Sequence, residues 1–276
     1  MTFQTILHNS RTTMEKISNE DHESDINHAE QHTRWIFTLL GIWPSVVSNP
    51  TRIARHASKF WLPFPSIMVL TILIPMLCHV VIRDVSRDEL LATLGPISYQ
   101  TTSVLKNCIL ISRRGTIKFC IQHMEADWRR VENRHERDIM MRNLQVGRGL
   151  TIISVLGIGA VFFNTKPLFG PSYVNSMNQS VRPLAYPGAD IFVDLHHGFN
   201  YQIVYVSNCV SIFFLHVVIT AICNLAALFV THACGQIQIV MSRLDGLVDS
   251  EETARDIRVV HDRMAFIVRN HIRVLR

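Results

Sequence analysis

Acidic side chains are missing from the four most apolar stretches of this chain, residues 60–82, 90–112, 149–165 and 195–242, and Lys106 is the one base among them. That absence argues against transporters that couple to protons or cations through an intramembrane carboxylate. Motifs of catalysis are missing too: there is no nucleophile elbow, Walker loop, HExxH or paired-carboxylate arrangement, so no enzyme is expected. Gly157-Ile158-Gly159 lacks both the third glycine and the preceding strand of a dinucleotide fingerprint. None of the six cysteines stands in a CxxC spacing, which disfavours a structural zinc site. His28 and His32 are two ligands where zinc usually needs three or four, and His196-His197 beside Asp194 is explained by loop polarity, so no metal is expected. The polar first 59 residues carry no cleavable signal pattern.

What remains is an apolar, weakly basic chain of 276 residues, 48% hydrophobic with a net charge of +5. A bilayer core takes roughly 17–25 apolar residues per helix, and the uncharged stretches meet that need. The bases outside them alternate in number. There are six before residue 60, two (Arg83, Arg87) after the first stretch, nine in 113–148, two (Lys166, Arg182) after the third stretch and seven from Arg243 onward. The positive-inside rule places the amino terminus, 113–148 and the tail in the cytosol. With the basic excess explained this way, no nucleic-acid partner is expected. Cys120 and Cys234 then face a reducing compartment, and the other four cysteines lie within spans.

The expected architecture is therefore all-α, a polytopic membrane helix bundle with cytosolic helix extensions. Residues 1–59 form a cytosolic arm with an interfacial helix. The spans are 60–82 (an uncleaved signal anchor), 90–112, 149–165 and 201–230. Outer loops occupy 83–89 and 166–200, a cytosolic helical segment 113–148, and a cytosolic extension 231–276. Asn178 in the second outer loop is the one permitted glycosylation sequon.

Local pattern adds detail. Residues 1–30 read as a flexible arm. The short run from Arg34 to Pro44 reads as a helix lying on the inner interface or packed on other cytosolic parts. Pro63 and Pro65 belong in the entry turn of the first span. The second span has a polar middle, Ser98 to Ser103, suited to facing protein or water, and Lys106 snorkels toward Arg113 and Arg114. Spacings of three and four predict one helix over 116–146. Ser154, Gly157 and Ala160 make a small-residue ridge. His216 reads as a neutral imidazole bonded inside the bundle. The fourth helix is expected to run on through Ile237, Val240, Leu244 and Leu247. A further apolar stripe follows at Ile257, Val260, Met264, Ile267, His271 and Val274.

These features resemble the insect odorant receptor family. The resemblance is carried by Leu40-Gly41-Ile42-Trp43-Pro44, by Met124-Glu125-Ala126-Asp127-Trp128 and by Arg182-Pro183-Leu184-Ala185-Tyr186-Pro187-Gly188. Cys234-Gly235-Gln236, Arg243-Leu244, His261 and His271-Ile272 follow in order. It implies a seven-helix ligand-gated cation channel subunit in the plasma membrane, working in olfaction as a heteromer with a coreceptor. Its ligands would be volatile small molecules, and no cofactor is implied. The family continues past the position of Arg276 into helices five to seven, including the pore helix, so four spans of an expected seven are present.

Orientation singles out candidate pocket residues in the outer half of the spans: Ile97, Tyr99 and Gln100, then Phe162 and Phe163, then Tyr201, Tyr205 and Asn208. Ordinary helix packing is the plainer reading of each. A gustatory receptor of the same architecture, a G-protein-coupled receptor with its amino terminus outside, and a four-span transporter or scaffold are the alternatives.

Overall fold

A computed structural model describes residues 22–47, 50–131, 133–155, 165, 173–174, 180–181, 184–195 and 198–248. Within them the chain is built from helices: α1 His22–Leu39, α2 Trp43–Val46, α3 Arg52–Trp61, α4 Phe64–Ile82, α5 Arg87–Ser112, α6 Arg114–Trp128, α7 Arg134–Val155 and α8 Gly198–Val248. A 3-10 turn, Ala189–Ile191, and a two-residue antiparallel ribbon interrupt the connection between α7 and α8; the ribbon sets Tyr173 (β1, Tyr173–Val174) opposite Val181 (β2, Ser180–Val181).

Two helical stretches among the described residues, Arg52–Ile82 and Gly198–Asp245, are long and apolar enough to cross a membrane. Local chemistry sets the helix starts. Thr51 caps α3 by accepting from the Ala54 amide at 3.3 Å, and Ser86 caps α5 by accepting from Glu89 at 3.3 Å. Asp88 and Glu89 in the first turn of α5 complement the helix dipole, so the helix begins at Arg87, inside the expected 83–89 loop. Pro63 and Pro65 sit at the entry of α4, where a missing amide costs nothing.

The chain divides into two compact units. One draws on Met1–Gln31, Ile121–Gly149 and Ala226–Arg276. Its core gathers Ile26 and Ala29 of α1 with Met124, Trp128, Val131, Met140, Leu144 and Leu228. Two bidentate ion pairs frame it: Arg137 holds Asp25 at 2.6 and 2.8 Å, and Arg243 holds Glu136 at 2.7 and 2.8 Å. Asp127 adds a 3.2 Å contact to His232.

This unit overturns two expectations. Residues 22–30 are helical, not a flexible arm, because Ile26 and Ala29 stand three apart on one face and Asp25 meets Arg137. The single helix expected over 116–146 is two helices. Arg130 and Val131 turn back onto the Asp127 and Trp128 carbonyls, and burying Val131 beside Trp128 is what the turn achieves. No glycine or proline marks that break.

The other unit comprises His32–Cys120 and Leu150–Leu225. Phe37, Leu40 and Ile42 are buried in it, so the run from Arg34 to Pro44 packs on protein; its helix ends at Leu39 and α2 follows. Gly41, at φ +70°, makes the turn between them. The Trp61 indole lies over that turn and donates to the Leu39 carbonyl at 2.8 Å, while Ser58 donates to Gly41. Trp61, Phe64 and Phe214 form an aromatic cluster, with the first two rings stacked at 4.7 Å and the last edge-on to Phe64 at 5.2 Å.

Candidate functional site

The face of α5 that is buried is the polar one. Thr93, Gln100, Ser103 and Asn107 recur at spacings of seven, three and four and are almost fully enclosed, while Leu91, Leu94, Tyr99, Leu105 and Ile109 point outward. A soluble helix would do the reverse. In lipid the apolar side chains lose nothing by facing outward, and polar groups turn toward neighbouring helices. Of the polar middle expected to face protein or water, Gln100 and Ser103 are buried, while Ser98, Tyr99, Thr101 and Thr102 are exposed.

The seam they form is bonded sparingly. Asn107 donates to Ser66 of α4 at 2.8 Å, and the Gln100 amide donates to the Met76 sulfur at 3.5 Å, a weak acceptor. Thr71 of α4 meets Ser211 of α8 at 3.0 Å. Deeper in the unit, Asn224 donates to Thr33 at 2.8 Å and accepts from Thr151 at 3.1 Å. His216, expected to be bonded inside the bundle, meets the Val155 carbonyl at 3.1 Å, a backbone partner the sequence did not single out. Gln100 Oε1, Ser103 Oγ and Asn107 Oδ1 are buried and have no partner among the described residues.

Beside Gln100 lies an apolar cluster of Ile72 and Met76 from α4 and Ile212 from α8, with Ile97 of α5 and Tyr186 packed against it. Tyr186 arrives from the segment between α7 and α8, and three features hold that segment on α4. Gly188, at φ +100°, lets the backbone press onto Pro75, where an added Cβ would stand 2.1 Å from the Pro75 carbonyl oxygen. Arg83 pairs with Asp190, and the 3-10 turn at Ala189–Ile191 directs the chain onward. On the adjoining turn of α4, His79 meets Glu89 of α5 at 3.1 Å. Burial, and secondarily the neighbouring Tyr99, push the Tyr186 hydroxyl up to about 12, so it stays a hydrogen-bond donor at any physiological pH.

Of the residues singled out from the sequence, Ile97 and Gln100 come together at this cluster. Tyr99 is half-exposed and near enough to Tyr186 to act on its hydroxyl. Tyr201 and Tyr205 stack on one another, 6.4 Å apart, and Asn208 is buried one helical turn before Ile212. Phe162, Phe163 and Asn178 lie outside the described residues, as does the stripe from Ile257 to Val274. Ile72, Met76, Ile212 and Tyr186 were not singled out as pocket residues. Tyr186 alone carried a signal, its place in the Leu184-Ala185-Tyr186-Pro187-Gly188 turn; the aliphatic residues look like any others in an apolar run.

The family model described as 7tm Odorant receptor matches residues 86–276, more than half of the chain. The match takes in α5, Tyr186 and all of α8, hence three of the four segments that meet at the cluster. No curated protein matches the chain.

Proposed function

The chain belongs to the 7tm odorant receptor family, and from that premise we propose that it is an odorant receptor subunit of the plasma membrane with its amino terminus in the cytosol. Membership makes it a membrane protein with a chemosensory receptor role, in a family of receptors and not of enzymes. The finer reading is that it binds volatile small molecules within the bilayer and works with a coreceptor in a heteromeric, ligand-gated cation channel. The observation that carries it is the cluster of Ile72, Met76, Ile97, Ile212 and Tyr186 set against the buried amide of Gln100. An apolar lining with one or two convergent polar groups is what a small, mostly hydrocarbon ligand requires. The alternation of bases along the chain supports the orientation.

Two measurements test this. An epitope placed before Trp35 should be labelled by antibody only after cells are permeabilised; labelling of intact cells overturns the orientation. The chain in lipid nanodiscs should show saturable changes in tryptophan fluorescence with members of a broad panel of volatiles, and should co-purify with a coreceptor when the two are coexpressed. A panel without a single binder overturns the receptor reading.

A further inference from the structure

We propose that Gln100 and Ser103 form a hydroxyl-binding site that selects small aliphatic alcohols, with the alkyl tail lying against Met76, Ile97, Ile212 and Tyr186. The proposal rests on the receptor reading above and names the ligand class of that site. The two side chains are three residues apart on α5 and therefore share a helix face. Both are enclosed, at 2% and 1% exposure. Each has an oxygen with no partner among the described residues, while the Gln100 nitrogen is already engaged by Met76. Unpaired buried polar atoms are uncommon in folded proteins, and a bound molecule is one of the few things that accounts for them.

The chemistry of the two groups defines the ligand. The Gln100 Oε1 is an acceptor and calls for a donor. The Ser103 hydroxyl supplies a proton to an acceptor as well as taking one. A ligand atom between them should donate to the first and accept from the second, which an alcohol oxygen does. Ethers, esters, aldehydes and ketones accept only, and an alkane does neither. An amine has the dual capacity but is protonated in water, and none of the residues of the cluster is acidic, so an ammonium ion would be buried uncompensated.

The test compares 1-hexanol with its isomeric ether, 1-methoxypentane, and with heptane. Binding to the chain in zwitterionic nanodiscs is measured with empty nanodiscs subtracted. The alcohol should bind at least about tenfold more tightly than the ether, since a site built to bond a hydroxyl discriminates against analogues lacking it. Gln100→Met, close in volume, and Gln100→Leu should remove the preference for alcohol over ether, and Ser103→Ala should reduce it. Circular dichroism and monodispersity identify any variant that fails to fold, and the wild-type alcohol-to-ether ratio stands without the variants. Equal binding of alcohol and ether, or a preference that survives both Gln100 variants, overturns the proposal and leaves the receptor reading intact. No binding by any of the three compounds also overturns it, and the wider panel then decides the receptor reading separately.

Discussion

Replacing Gly188 with alanine should peel the segment carrying Tyr186 away from α4. The residue sits at φ +100°, which costs an L-residue about 1–2 kcal/mol. The new Cβ would also stand 2.1 Å from the Pro75 carbonyl oxygen and 2.6 Å from its carbon. Both are backbone atoms inside a helix and have little room to yield, so the loop must retreat by more than an ångström. Strain of this kind adds about 1 kcal/mol or more, for a total of about 2–3 kcal/mol. The amides of Ile191, Phe192 and Val193 report it, because they bond the Gly188 and Ala189 carbonyls at 3.1–3.2 Å and are protected only while the turn stays formed. At about 1.4 kcal/mol per factor of ten, their hydrogen exchange should quicken roughly 30- to 150-fold. Mass spectrometry of a peptide covering 189–195 measures this in nanodiscs. Gly95→Ala is the control, since a Cβ there meets nothing within 4 Å. Unchanged exchange in Gly188→Ala would refute the close approach on which the position of Tyr186 depends.

Other consequences follow from the same geometry. Trp128→Ala should cost about 3–5 kcal/mol by opening a void among Met124, Met140 and Leu228, read as a fall in the thermal midpoint. A double-mutant cycle on Glu136 and Arg243 should give a coupling of about 1–3 kcal/mol, because the carboxylate is enclosed and the fork is bidentate; a cycle near zero would make the pair ornamental. Tyr186 has a folded-state pKa of about 12, above the ordinary 10, so its stabilising contribution is full below pH 10 and is lost as pH rises from 10 through 12. The difference between absorbance titrations of wild type and Tyr186→Phe should place the loss of the Tyr186 proton in that upper range. Asn224→Leu should destabilise the unit by about 1–3 kcal/mol, since it removes the hydrogen bonds to Thr33 and from Thr151 together.

Hydropathy and charge made the helical class legible, because lipid imposes those patterns on every spanning segment, and short motifs such as Met124-Glu125-Ala126-Asp127-Trp128 made the family legible. The polar middle of α5 was readable only in part: Gln100 and Ser103 are buried, while Ser98, Thr101 and Thr102, of the same polar character, are exposed, and composition alone does not separate the two faces. Contacts between distant segments were not readable. Nothing in His22 to Glu30 announces that Asp25 meets Arg137, and without that contact the stretch looks like solvated arm. The turn after Trp128 is likewise made by tertiary burial of Val131, with no breaker residue to mark it. Tyr186 reaches Met76 and Ile97 from far along the chain, and Ile72 and Ile212 become pocket candidates only once that arrival is known.

The turn at Gly41 bears on how this gene can drift. A side chain there would strike the Trp61 ring at 2.8 Å, and the same ring is hydrogen-bonded to the residue before the turn's start. Positions 41 and 61 are therefore coupled, whereas residue 39 takes part only through its backbone carbonyl, which any residue supplies. Even in a lineage whose residue 61 has already shrunk, a larger residue at 41 would still carry the strain of φ +70°, so change at 41 should be rare among descendants that still reach the membrane folded.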